Sequence, residues 1–393
     1  MGNATASTSP KISVTIVTLS ATILATGALL ASTPYLMRQD DSFAVTVPVQ
    51  AQDDPRIRGL RRCYAIAMLA VTALSVIACV LGGTLLREDA AGGPRSGGSD
   101  ASTILTCLLG VVPLVPVAAS FVLMLCCRRR VLALKRSEGW QATRCISAAV
   151  LAEEDVPRAI PLAWSLLYLP VILGTIVLGL ALFPHMPDMI PLHADLAGNV
   201  DRYVPKTLAS AVGLPVATEA FMAFGLTLVH WAILRSKRPV DPAAPATSAL
   251  SFSLFARAQS VFVLVAGILT DAATGILLTL SAAGLLGLAQ AGALLAVCCV
   301  PVLMGMVVLS FVYGQGGSRV FGRMRREAPL LRDDDEHWKL GILYLNRDDA
   351  SLFLPKRFGI GWTMNLAHPA AWAIILGLIA ASALFVALAA MLA

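Results

Sequence analysis

Long unbroken apolar stretches alternate with short polar segments along the whole chain, at a spacing far longer than the repeat of an amphipathic helix or strand. Crossing a hydrocarbon core about 30 Å thick takes about 20 apolar residues at 1.5 Å each. Eight stretches meet that length: residues 12–37, 63–86, 103–126, 160–183, 207–234, 260–283, 285–313 and 369–392. The sixth and seventh come from one run whose only charge is Asp271, too long for a single crossing. The small residues Ser281, Gly284 and Gly287 predict a tight turn between them.

Two segments break this pattern. Residues 184–206, PHMPDMIPLHADLAGNVDRYVPK, are polar and stiffened by Pro184, Pro187 and Pro191, with Gly198-Asn199 favouring a turn. Residues 340–345 and 351–355 are short apolar runs around Asn346-Arg347-Asp348-Asp349, and Phe358, Ile360 and Trp362 continue an alternation. That predicts a β-hairpin or three-strand meander, too small to be stable by itself. Residues 43–49, FAVTVPV, also read as a strand, and the two are expected to share one small sheet. The fold class is therefore an all-α polytopic membrane protein of about eight spans with a small cytoplasmic β-hairpin module. Its predicted organisation is a three-helix region (1–159), a two-helix unit with its extracytoplasmic loop (160–235), a second two-helix region (236–313), the β-rich module (314–368) and a last span (369–393).

Composition excludes a soluble domain: 57% of residues are hydrophobic, 14% are charged, and mean hydropathy is +0.76. A net charge of +6 would suit a nucleic-acid partner, but its placement argues against one. With the N-terminus outside, residues 38–62, 128–158, 235–257 and 319–357 face the cytoplasm and hold 25 of the 30 Lys and Arg residues. Only Lys11, Arg87, Arg95, Arg202 and Lys206 fall on the other side. Basic residues concentrate inside in this way, so both termini are expected outside and the bilayer is the expected partner. Reading residues 1–33 as a cleaved signal peptide would invert every basic loop, so the first stretch reads as a retained helix. The eight cysteines form no CxxC pair or zinc-type spacing, and they imply no disulfide framework.

Candidate chemistry lies first inside the membrane. Glu219 and Asp271 each stand about 12 residues into spans that run in opposite directions, which puts both about 18 Å deep. His230 follows Glu219 by eleven residues and extends the same helical stripe. Charge at that depth is costly and is expected in a bundle interior or a wet cavity. If the two carboxyls meet, one holds a proton, because like charges in low dielectric do not both ionise cheaply. The alternatives are a proton or cation pathway, or carboxyls that glue helices by hydrogen bonds with Thr218 or Thr270.

The loop supplies a second set. His185, Asp188, His193, Asp195 and Asp201 are metal-ligand types, but two histidines eight apart with prolines between lack zinc spacing. A structured turn joining His193 to Asp201 is the plainer reading, and no metal or other cofactor is expected. Lys356, Arg357 and Trp362 suit a cytoplasmic surface for lipid headgroups or a protein partner. HExxH, GxSxG, P-loop and dinucleotide fingerprints are all missing, so no catalysis is expected.

The spacing P-x-H-x4-G-x2-D, at Pro191, His193, Gly198 and Asp201 and followed by Lys206, resembles a domain of unknown function shared by SdpI-like membrane proteins. Those are named for the sporulation-delay toxin immunity protein. Residues 337–369 look like a small domain of unknown function often attached to the same proteins, and residues 42–64 are also similar to the group. The resemblance implies a bacterial plasma-membrane protein of toxin immunity or envelope-stress signalling, with a secreted peptide outside and a regulatory protein inside. A proton- or cation-coupled small-solute transporter is the competing expectation.

Overall fold

Wherever an apolar run is unbroken the described residues are helical, and proline often sits in the first turn, where its missing N–H costs nothing. The computed structural model describes residues 5–38, 40–91, 110–140, 157–194, 200–238, 244–324, 333–359 and 361–392. The long helices are α1 (Thr5–Leu36), α2 (Pro55–Ala91), α3 (Val115–Ser137), α4 (Tyr168–Leu182), α5 (Leu214–Leu234), α6 (Pro245–Ala282) and α7 (Leu288–Tyr313). A short α8 (Ser318–Met324) and the terminal α9 (Pro369–Leu392) follow. Seven helices among the described residues are long and apolar enough to cross a membrane. The predicted span 103–126 begins outside the described residues; its described part is helical and runs on through Arg128 and Lys135. The expected turn is present: α6 stops at Ala282, Gly284 takes φ 71°, and the Gly287 amide donates to Gln290 Oε1 at 3.1 Å to start α7.

Helix α6 is the hub, packed on α4, α5 and α7. Its buried face carries small and polar residues (Ser260, Gly267, Asp271, Gly275, Thr279), which lets its neighbours come close. By contrast α9 lies at the periphery, held to α5 by stacking of Phe385 on Phe221 with ring centroids 4.7 Å apart.

The two ends of the bundle differ. At one end, β3 (Met189–Ala194) pairs antiparallel with β4 (Val200–Pro205), Ile190 facing Val204 and Pro191 facing Tyr203. Ile190 and Val204 are buried on Met186, Ala211, Val212 and Ala282, which seats the hairpin on α6 and the start of α5. The hairpin's turn, with Gly198 and Asp195, falls outside the described residues.

At the other, basic end the single sheet expected from sequence is not formed. Among the described residues there are three two-stranded hairpins: β1 (Asp41–Ser42) with β2 (Val45–Thr46), β5 (Trp338–Lys339) with β6 (Leu343–Tyr344), and β7 (Phe353–Pro355) with β8 (Trp362–Met364). Of the predicted strand 43–49 only Val45–Thr46 is strand; Phe43 and Ala44 form the hairpin tip with φ 48° and 60°. Leu340 and Gly341 make a similar tip with φ 53° and 75°. Both tips are apolar, and Phe43 and Ala44 are fully buried, so alternation that looks like a half-exposed strand is a turn pressed into a core.

Side chains join what backbone ladders do not. The Thr46 amide and hydroxyl both donate to Asp335 Oδ1, at 3.0 and 2.9 Å. Lys135 reaches Asp333 and Asp335 at 2.6 Å each, and Arg128 donates to the carbonyls of Ala44 and Trp338. Arg357 bridges Asp334 and Asp335, while Phe43, Tyr64 and Phe358 form a ring cluster. Trp362 Nε1 donates to Ser236 Oγ at 2.7 Å and Lys237 pairs with Asp349, fastening the module to the end of α5. The expected partner surface is corrected accordingly. Arg357 is 4% exposed and Trp362 is half-buried against Phe255, leaving only Lys356 of the three on the surface. A guanidinium with two carboxylates in reach is better satisfied inside than at a rim.

Candidate functional site in the membrane interior

The close approach of three helices builds the site. Gly267 and Gly275 flank Asp271 at four-residue intervals on α6, so all three lie on one face. A Cβ at 275 would overlap the Glu219 carboxyl and the Thr175 hydroxyl, and one at 267 would overlap the Tyr168 hydroxyl. Glycine at both positions therefore admits α5 and α4 to the α6 backbone. Glu219 from α5 and Asp271 from α6 end in one interior, both fully buried, with the Glu219 carboxyl against Gly275, about one turn along α6 from Asp271.

Their hydrogen bonding is sparse. Thr175 Oγ1 donates to Glu219 Oε1 at 2.8 Å. Glu219 Oε2 and both Asp271 oxygens have no partner, and among the described residues no basic side chain pairs with either carboxyl. Thr218 and Thr270, the glue partners expected from sequence, instead donate to carbonyls of their own helices. Two unpaired negative charges at this depth are too costly to coexist, so the pair carries a proton or a counter-cation.

Polar side chains continue from the pair in both directions. Toward the basic end, the Tyr168 hydroxyl lies over Gly267, and Ser165 one turn earlier contacts His230 Nδ1 at 3.0 Å. His230 Nε2 donates to the Ile160 carbonyl at 3.0 Å, while Nδ1 on the other side of the ring meets the Ser165 hydroxyl. Ser260 accepts from the Ile160 amide at 3.1 Å. Toward the hairpin, Thr279 and Ser281 are buried with unpartnered hydroxyls. From Ser260 to Thr279 the file covers about 28 Å along α6, close to the hydrocarbon thickness. The structure thus brings Glu219, Asp271 and His230 into one file. It adds Thr175, Tyr168, Ser165 and the two glycines, whose only sequence signal is the small-residue spacing around Asp271.

The other predicted residues lie at the two ends. His193 Nδ1 and Asp201 Oδ1 are 2.6 Å apart on the exposed hairpin, 66% and 51% exposed. Lys206 donates to the Met186 carbonyl at 2.9 Å and stands over the Phe183 ring, closing the hairpin base. Pro191 is a half-buried strand residue opposite Tyr203. In the basic-end module, attraction to Arg357 and bonds from Lys135 and Thr46 hold Asp335 below the ordinary carboxylate range although burial opposes them. Burial instead pushes Asp41 up to about 7, against the pull of Arg357.

A stack of apolar helices enclosing a polar file, with small hairpins at its ends, defines a multi-pass helical membrane protein. Residues 171–218, from α4 through the hairpin into α5, match a domain of unknown function (DUF1648). Residues 347–372, from the module into α9, match a family of unknown function (DUF5808). No curated protein and no solved structure matches the chain.

Proposed function

We propose that the protein couples the binding and release of a proton at Glu219 and Asp271 to movement of a small solute across the membrane, without catalysis of a covalent step. The observation that carries this reading is the pair of fully buried carboxyls with three unpartnered oxygens in the middle of a polar file. A site made only to hold helices together would satisfy its oxygens, since unmade bonds in a low-dielectric interior are costly. In this reading the basic end faces the cytoplasm of a bacterial cell and both termini lie outside. Protein reconstituted in vesicles with an internal pH dye should carry protons faster than empty vesicles under an imposed gradient. Glu219→Gln and Asp271→Asn should each return the rate to the empty-vesicle level; an unchanged rate in both variants would remove the proposal.

A second reading, SdpI-like immunity or envelope-stress sensing, is favoured by the hairpin. Met189 and Tyr203 are about half exposed beside the ordered His193–Asp201 pair, a surface able to meet a secreted peptide. The interlocked module would then report inward to a regulatory protein. Cells carrying His193→Ala or Asp201→Asn should lose protection against such a peptide, and full protection in both would exclude it.

A further inference from the structure

Between the carboxyl pair and the basic end the polar file is interrupted. His230 stands eleven residues from Glu219 on α5, and Ser260 eleven from Asp271 on α6, so about 16 Å separates the two polar levels along each helix. The interval is apolar. Tyr168, Ala223 and Leu264 are buried there, with Ile160, Leu226 and Ile268 packed against them. The Tyr168 hydroxyl meets α6 at Gly267, where an added Cβ would also stand 3.1 Å from Leu226. Apolar space this tight does not hold water. His230 does not relay a proton across it either, because its Nε2 meets the Ile160 carbonyl, an acceptor with no proton to pass on.

One segment caps this layer. The 3-10 helix Leu162–Leu167 leads into α4, and Ile160 just before it gives its side chain to the apolar layer and its backbone to a latch. Two helices hold the segment through three side-chain hydrogen bonds. His230 of α5 meets Ser165 and the Ile160 carbonyl at 3.0 Å each, and Ser260 of α6 accepts from the Ile160 amide at 3.1 Å. Ser165, His230 and Ser260 are all buried, so water does not compete for these bonds. The outer face of the segment carries the exposed Trp164 and Leu166. Its 3-10 turns bond poorly, and Pro161 and Pro170 remove two backbone donors, so the latch is what chiefly resists its lifting. We propose that residues 160–168 are the gate between the carboxyl pair and the basic end, held shut by His230 and Ser260. When this strap lifts it withdraws Ile160 and Tyr168 from the apolar layer together, and water then joins the pair to the basic side. The assignment rests on the proton-coupling reading for what passes the gate; the closure itself does not.

Access to Ala223 tests the gate without reference to flux, because this small buried residue belongs to the apolar layer one turn from Glu219. In the full-length protein with its eight cysteines replaced by serine, Ala223→Cys would meet a membrane-impermeant, charged methanethiosulfonate from the basic-end side of oriented vesicles. Labelling should be slow while the latch is whole. His230→Ala, which removes two latch bonds, should speed it about tenfold or more, and Ser165→Ala, which removes one, about fivefold. The milder variant decides the matter if His230→Ala does not fold. Ile233→Ala, which empties a neighbouring buried position of α5 outside the latch, should leave the rate unchanged. Without the reporter, Ser165→Cys and His230→Cys joined by a short bifunctional thiol reagent should stop proton flux, and cleaving the link should restore it. Fast labelling with the latch whole, no change in either latch variant, equal acceleration in Ile233→Ala, or flux through the linked protein would overturn the gate, whatever Glu219→Gln does. Latch-controlled labelling in a protein that moves no protons would instead keep the gate and remove the coupling reading.

Discussion

Arg357→Ala should unfold the basic-end module while the helices stay inserted, at a cost of about 3–5 kcal/mol. The loss is large because the variant leaves carboxylates behind in a buried place. Arg357 bridges Asp334 and Asp335 from a site only 4% exposed, and its guanidinium also lies over Trp338 at 5.2 Å. Asp335 keeps Lys135 and Thr46, but Asp334 loses its bridge. Arg357→Lys should recover only part of the loss, since one ammonium cannot span two carboxylates as the planar fork does. Red-shifted emission of Trp338 and new protease cuts within residues 333–359 would register the unfolding; native emission and protection in Arg357→Ala would refute it.

Arg357→Lys, which keeps part of the module's stability, should change how the module responds to pH. Asp335 is held below its ordinary value of 3.8, so its contribution is present above that pH and is lost as pH falls. Asp41 works in the opposite sense. Raised to about 7, it stabilises the fold fully below 3.8 and less as pH rises toward 7. With lysine at 357 the pull that lowers both carboxyls is weaker. The acid-side loss should shrink and the loss on approach to neutral pH should grow.

The bundle was legible in the sequence because hydrocarbon allows few solutions: a run of about 20 apolar residues must satisfy its own backbone, and only a helix does so. The α6–α7 break could be read from Gly284 and Gly287 for a similarly local reason, a turn that needs small residues. Depth counting also placed Glu219 and Asp271 at one level. It could not say that they share an interior, because that depends on which faces of α5 and α6 meet. The missing information sat in Gly267 and Gly275, ordinary residues in a list of glycines until Asp271 is seen between them. The basic end was harder. Phe43-Ala44 and Leu340-Gly341 mimic strand alternation, and their turns, the first of them buried, are held by Arg128, Lys135 and Asp335 from segments distant in the chain. Arg357 looked like a surface cation for the same reason: a partner supplied at long range leaves no local signature.

Gly275→Ala should disable the interior pair without removing either carboxyl. A single added methyl would overlap the Glu219 carboxyl and the Thr175 hydroxyl that donates to it. The end of a glutamate side chain yields more easily than backbone, so α5 and α6 should stay together at a cost of about 1–3 kcal/mol. Glu219 would turn away from Thr175, and under the proposed proton coupling the protein should lose proton-dependent flux, the outcome expected of Glu219→Gln. A pH-difference infrared spectrum reads the same event without knowledge of the solute. The carboxyl C=O band of the wild-type protein should shift in Gly275→Ala and weaken in Glu219→Gln. Adding Glu219→Ala to Gly275→Ala should return part of the lost stability, about 1 kcal/mol, because the truncated side chain no longer meets the methyl. A wild-type band in Gly275→Ala would mean that the carboxyl does not rest on this glycine, and the proton site would lose its wall.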